Sequence, residues 1–364
     1  MKTAIIASFV LLVVGSACKP SVGSPISLIS GPRILAVKSV PAEVDPQGLL
    51  FPTATVNYEA LAVDLNGRVP GPAPGADIAD PLLWATCLQP KPPTDTNSVS
   101  SDCLDETKLS GAPGDSPTTY TADAPSTACA LFGPTTPPAP QGQPPTSPRA
   151  ADVTGGYYLP IRVELLVPVS LRHGEMTTSN SIVGFQLQRI QCGLARAPGL
   201  IIREYNKTYK LNNNPILGSL TLRQPGSDQV AAPQSGATGS PIPVTKGQSI
   251  SLTANWPADS VEIYPAWDVL NLVLLKYTEA MRVSWYATSG SFEHDNTGVG
   301  GAATETFDAD NETWKPTGAN TTAPQTFTDN TWTPDTPGLV HMWLVLHDSR
   351  GGTDFASYDF IVSP

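Results

Sequence analysis

Short runs rich in β-branched and aromatic residues, each closed by a Pro, Gly or Asn turn, recur from Arg33 to Val362 and limit most tightly what this chain can fold into. Arg33 to Val40 and Thr55 to Val63 have the rough alternation of half-buried strands, and Asp64-Leu65-Asn66-Gly67 follows as a turn. Leu82 to Leu88, Tyr157 to Val169, Ser181 to Ile190 and Leu200 to Leu211 read the same way. Further on come Ile216 to Leu222, Ser249 to Asn255, Val261 to Tyr264, Leu272 to Tyr277, Met281 to Thr288, Leu339 to His347 and Phe355 to Val362. No helical crossovers separate these strands, so the expectation is an all-β fold of antiparallel sandwiches. Asp268 to Lys276 is the one helix candidate, and its Val and Leu content also suits a buried strand.

A loose internal repeat divides the chain. Pro32-Arg33-Ile34-Leu35 opens one half and Pro215-Ile216-Leu217 the other, and each is followed by a strand, Val56 to Val63 or Ser249 to Asn255. A Trp-bearing strand comes next, with Trp84 or Trp285, and a strand after glycine closes each half, at Gly156 or Gly338. Two related sandwiches in tandem follow, 32–212 and 213–364, with Trp84, Trp285 and Trp343 as core residues, or a glycan-stacking platform if exposed together. Gly111 to Arg149, with ten prolines among Ser, Thr, Gly and Gln, is expected to be an extended, solvated insertion.

The N-terminus reads as an export signal. Met1-Lys2 carries one charge, and the apolar run Ala4 to Val14 is about half the length a bilayer span requires. Gly15-Ser16-Ala17-Cys18 resembles the lipobox of bacterial lipoproteins, with Gly15 standing where that family prefers Leu, Val or Ile. The resemblance implies cleavage after residue 17, lipidation of Cys18 and a tether over 18–31; ordinary signal-peptidase cleavage would instead release a soluble protein. Lys19, not Asp, follows the cysteine, and by the same resemblance the address is the outer membrane.

Five cysteines leave one unpaired in an oxidising compartment, and lipid on Cys18 accounts for it. Cys87, Cys103, Cys129 and Cys192 then allow three pairings; Cys87 with Cys103 and Cys129 with Cys192 is favoured, because the first closes the polar loop Leu88 to Asp102. There is no CxxC and no histidine near a cysteine to point to a metal. A net charge of −11 with 15% charged residues argues against nucleic acid and against electrostatic docking on anionic lipid.

Pro337 to Asp354, with the strand to Val362, resembles the end of a polycystic-kidney-disease-type or related immunoglobulin-like domain, in which a strand leading to an Asp and a Gly-containing turn hairpins into the last strand. The layout also resembles uncharacterised lipoproteins of myxobacteria and related soil bacteria. Neither resemblance implies an activity. No HExxH, GxSxG, P-loop or dinucleotide fingerprint is present. The histidines are His173, His294, His341 and His347, of which His341 and His347 share one strand face as a metal-pair candidate. Asp308, Asp310 and Glu312 are weak calcium candidates, with Asp295, Asp348 and Asp354 as further ligands if the fold gathers them; otherwise this is a solvated acidic loop, and no cofactor is expected. The function read from the sequence is a lipid-anchored envelope module that binds or scaffolds a protein or glycan. The alternatives are an envelope enzyme, carbohydrate-active or proteolytic, with an unrecognised site, or a structural subunit of an envelope assembly.

Overall fold

The computed structural model describes residues 25–48, 55–69, 82–91, 98–113, 118–135, 152–167, 180–224, 227–232, 240–318 and 323–364. Residues 1–24, read above as a signal segment and the lipidation site Cys18, and much of the Pro-rich stretch lie outside them.

Two immunoglobulin-like sandwiches are built to one plan. In the first, Arg33–Val40 pairs with Thr55–Asp64, which also pairs with Thr119–Asp123; the facing sheet runs Glu43–Val44, Asn180–Gln191, Gly156–Val167, Leu82–Thr86, Ser110–Pro113. In the second, Ser219–Gln224 pairs with Ile250–Asn255, which pairs with Phe327–Thr333; the facing sheet runs Ile242–Thr245, Thr353–Ser363, Gly338–Asp348, Met281–Ala287, Asn296–Val299. In both, a short strand joins the last long strand in parallel, at Glu43–Val44 and at Ile242–Thr245, while the neighbouring pairs are antiparallel. The internal repeat is therefore a repeat of topology.

The sandwiches lie face to face. Along Thr55–Asp64, Val56, Tyr58, Ala60 and Ala62 point into the first sandwich, while Leu61 and Val63 point out of it. Along Gly338–Asp348, Val340, Met342, Leu344 and Leu346 point into the second sandwich, while Trp343 and Val345 point out. The outward residues meet one another, with Ile29 and Ala36, in a dry cluster between the two bodies. Four sheets are thus stacked, the inner two covered on both faces. This explains why Ala60-Leu61-Ala62-Val63 and Met342-Trp343-Leu344-Val345-Leu346 are buried without a break. Trp84 and Trp285 are core residues, but Trp343 belongs to the layer between sandwiches.

Several expectations need correction. Leu200 to Leu211 is not a strand. Gly199–Thr208 is a helix, because Ile201, Tyr205 and Tyr209 recur every four residues and present one apolar stripe. Of the two readings open for Asp268 to Lys276, helix or buried strand, the strand holds: Val273–Thr278 pairs with Ile263–Asp268 across a bend at 269–272. The stretch 111–149 is not wholly irregular: part of it lies in Ser110–Pro113, Thr119–Asp123 and the short helix Ala128–Phe132, where Tyr120 and Ala128 enter the first core. Nor do residues 25–31 act as a free tether, since Ser27 and Ile29 hydrogen-bond to Ala287 and Ile29 is buried between the sandwiches.

Candidate functional site

A third sheet grows out of the second sandwich. The connection from Ile250–Asn255 to Met281–Ala287 carries the hairpin Ile263–Thr278, and a later connection carries Ala303–Asp308 and Thr313–Pro316. The two hairpins pair through Val273–Thr278 and Ala303–Asp308 into one four-stranded antiparallel sheet. Alternation puts Trp267, Leu274, Phe307 and Trp314 on one face, where the linker helix Gly199–Thr208 covers them. The Trp314 indole donates to Glu204 on that helix (2.8 Å), and Trp267 N donates to Val153 O of the first sandwich (2.7 Å).

The helix covers only half of that face. Beyond its C-terminal end the same strands leave Ile263, Pro265, Lys276, Glu305 and Pro316 lining an open groove of about 1030 Å³, walled on the far side by 323–325. Lys207 and Lys210 stand on its helix side. Lys276 is ion-paired with Glu305 and lies 4.2 Å above the Trp314 ring, while Lys207 reaches Glu204 at 3.5 Å. Ile263 is 54% exposed.

At the other end of the sheet both hairpins turn in the same way. Asp268 Oδ1 accepts from Leu270 N and Asn271 N, and its Oδ2 from Asn271 Nδ2; Asp308 repeats the three bonds with Asp310 and Asn311. The next residue has positive φ in each, Leu272 at 57° and Glu312 at 52°. The calcium candidates are accounted for here. Asp308 closes a turn and pairs with Lys315, which together hold its carboxyl far below the usual range, and Glu312 pairs with Arg203 at 3.0 Å. Asp348 and Asp354 serve other contacts, and among the described residues no group of three or more His, Cys, Asp or Glu is placed to hold a metal. His341 bonds Asp359 (2.7 Å) and His347 bonds Thr353 (3.0 Å). Six residues along one strand separate them by roughly 20 Å, too far to share an ion.

Polar chemistry concentrates where linker and sandwiches meet. Buried Glu43 accepts from Arg189 Nε (2.9 Å), Tyr209 Oη (2.7 Å) and Asn212 N (2.8 Å). Arg350, from the turn before the last strand, donates to Glu279 (2.7 Å), Glu262 (2.6 Å) and Lys210 O (3.1 Å), and stacks on Tyr264. Asn212 Nδ2 donates to Asp348 (3.0 Å), whose other oxygen takes Arg350 N and Gly352 N. Asn213 donates to Glu262, and Asn214 spans the inner sheets, donating to Ser39 O (2.6 Å) and accepting from Thr353 N (2.8 Å). Burial, then the charge of Asp348, raises the Glu279 carboxyl, and burial raises Asp348 itself. Burial, with Arg282 beside it, lowers His347 to about 4.

The sulfurs are bonded as Cys87 with Cys103 (Cα–Cα 5.5 Å) and Cys129 with Cys192 (5.4 Å). The first closes a loop over the outer sheet, where Cys87, Val99 and Cys103 pack against Phe185 and Leu187. The groove lysines and the joint residues Glu43, Arg189, Arg350 and Asn212 to Asn214 were not singled out from the sequence; the Asn triplet and the twin Asp-x-x-Asn turns were the available signals.

These features define an all-β, immunoglobulin-like two-sandwich module with an inserted sheet. No protein-family model matches the chain, and no curated protein matches it. Among solved structures it is similar to the fibronectin(III)-like modules of Clostridium thermocellum CbhA, at 9% identity over 93% of this chain and 92% of that one, TM-score 0.19. The adhesin InvE of Yersinia pseudotuberculosis gives 13% identity over 89% of this chain and 58% of that one, TM-score 0.18. Domains 4 and 5 of the S-layer protein SbsC give 10% over 91% of this chain and 100% of that one, TM-score 0.18. Superposition this loose carries no argument; strand order and core composition define the fold. No helix among the described residues is long and apolar enough to cross a membrane.

Proposed function

We propose that the protein is a non-catalytic binding or scaffold module of the bacterial cell envelope, anchored by lipid on Cys18 and addressed to the outer membrane. The observation that carries this reading is the inserted sheet. Neither sandwich needs it to complete its own core, and the linker helix leaves half of one face open as a groove. The buried pairs, Glu43 with Arg189 and Glu279 with Arg350, each sit within one sandwich, and their further bonds to Tyr209, Asn212 N and Lys210 O, with Asn212 to Asp348, tie both sandwiches to the linker, as a rigid presenting scaffold requires. Support for the anchor comes from the short apolar run before Gly15-Ser16-Ala17-Cys18 and from the pairing of the other four cysteines with each other. The body begins by residue 27, where Ser27 and Ile29 bond Ala287.

Fractionation and intact mass of the native protein, wild type against Cys18→Ser, test the anchor. A chain starting at Cys18 with the added mass of acyl groups, released to the soluble fraction by the substitution, is the expected result. An unmodified soluble wild type overturns it.

A further inference from the structure

We propose that the groove beside the linker helix binds an extended acidic peptide segment of a partner protein, with apolar side chains interleaved between its carboxylates. This deepens the binding-module reading and rests on it. The chain carries −11 overall, yet Lys207, Lys210 and Lys276 converge on this one concavity, with Glu305 the acidic residue among its lining groups. Glu204, the other nearby carboxylate, is turned inward to the Trp314 indole and lies beneath Lys207. Lys276 is paired with Glu305 and Lys207 with Glu204, so the lining keeps a small positive excess, centred on Lys210, against the chain's overall negative charge, and this favours an anionic ligand. The floor supplies apolar contact from Ile263, Pro265 and Pro316, and the far wall from Pro324. A glycan would want an open aromatic face, but Lys276 covers the Trp314 ring. From one edge strand to the other the groove crosses three inter-strand gaps, about 14 Å, the reach of about four extended residues.

The test uses the full-length protein and a fluorescein-labelled peptide alternating Glu and Leu, read by fluorescence anisotropy at low salt. Saturable binding is expected, weakened about tenfold by Lys207→Glu with Lys210→Glu and weakened further by raised salt. Lys246→Glu makes the same kind of charge change on an exposed turn elsewhere and should leave binding within about twofold. Ile263→Asp should abolish binding with the thermal melt unchanged, since that side chain is mostly exposed. No binding at millimolar peptide, equal losses with Lys246→Glu, or equal binding of a Lys-Leu peptide would each overturn the proposal. So would displacement of the peptide by a galacturonate oligomer at equal concentration, which assigns the groove to acidic glycan. The fractionation of Cys18→Ser is independent, so failure here leaves the anchor reading standing.

Discussion

Replacing Glu43 by Ala tests whether the joint makes two sandwiches one cooperative body. Glu43 is 0% and Arg189 2% exposed by side chain, and the carboxylate also takes the Tyr209 hydroxyl and Asn212 N–H. Removing one partner of a buried pair costs about 3–5 kcal/mol, because the other charge stays uncompensated in a dry site. The two further donors lose their acceptor at about 1–3 kcal/mol each when wholly unsatisfied, and they share the relaxation, so about 4–6 kcal/mol in all is expected. That is comparable to the whole stability of many domains. Urea unfolding followed by Trp fluorescence and far-ultraviolet circular dichroism should show one transition in the wild type and, in Glu43→Ala, an earlier and divided one. The division is expected because Tyr209 and Asn212 belong to the linker, so the lost bonds include those that tie it to the first sandwich, besides the pair with Arg189 inside that sandwich. Glu43→Met with Arg189→Met should recover much of the loss by removing both charges together. A loss under about 1 kcal/mol with a single transition would refute the reasoning.

Other outcomes follow from the same contacts. Leu272→Asn should stabilise by about 1 kcal/mol in thermal melts, because Leu sits at a φ of 57° that Asn tolerates; a destabilisation would mean that Leu272 packs in a way its exposure does not show. His347, lowered to about 4 in the fold against about 6.5 unfolded, contributes stability that is complete above 6.5 and lost as pH falls toward 4, up to about 3 kcal/mol. Glu279 and Asp348, raised by burial, act oppositely, contributing stability at acid pH that is lost as pH rises. His347→Gln should therefore make stability rise more on acidification than in the wild type, and an unchanged profile in urea titrations from pH 7 to 4 would reject the assignment. Trp343→Ala should cost about 3–5 kcal/mol and speed proteolysis of the linker 193–218, whereas Trp285→Ala at similar cost should chiefly unfold the second sandwich.

Strand positions and the two-fold repeat were legible because period-2 burial and turn residues are local properties. The stacking of the sandwiches was written there too, in Ala60 to Val63 and Met342 to Leu346, apolar runs that leave no face for water. Such a run announces that a strand is covered on both sides without naming the cover. Trp343 could accordingly be placed inside but not between.

The misassigned segment, Leu200 to Leu211, and the one left open between helix and strand, Asp268 to Lys276, both contribute to the groove. The helix stripe of Ile201, Tyr205 and Tyr209 has meaning only against Trp267, Leu274 and Phe307, which two hairpins far apart in the chain bring together. Short apolar runs of that kind satisfy either period, and only their partners decide. Lys207 lies in the last turn of the helix, Lys210 just beyond it and Lys276 on a strand, so their convergence exists in the assembled sheet alone. The Asp268 and Asp308 turns make the same point from the opposite side. Their shared Asp-x-x-Asn clamp is local and readable, and it identifies both loops as hairpin bends, so the carboxylates of Asp308 and Glu312 are spent on a turn and on pairs with Lys315 and Arg203.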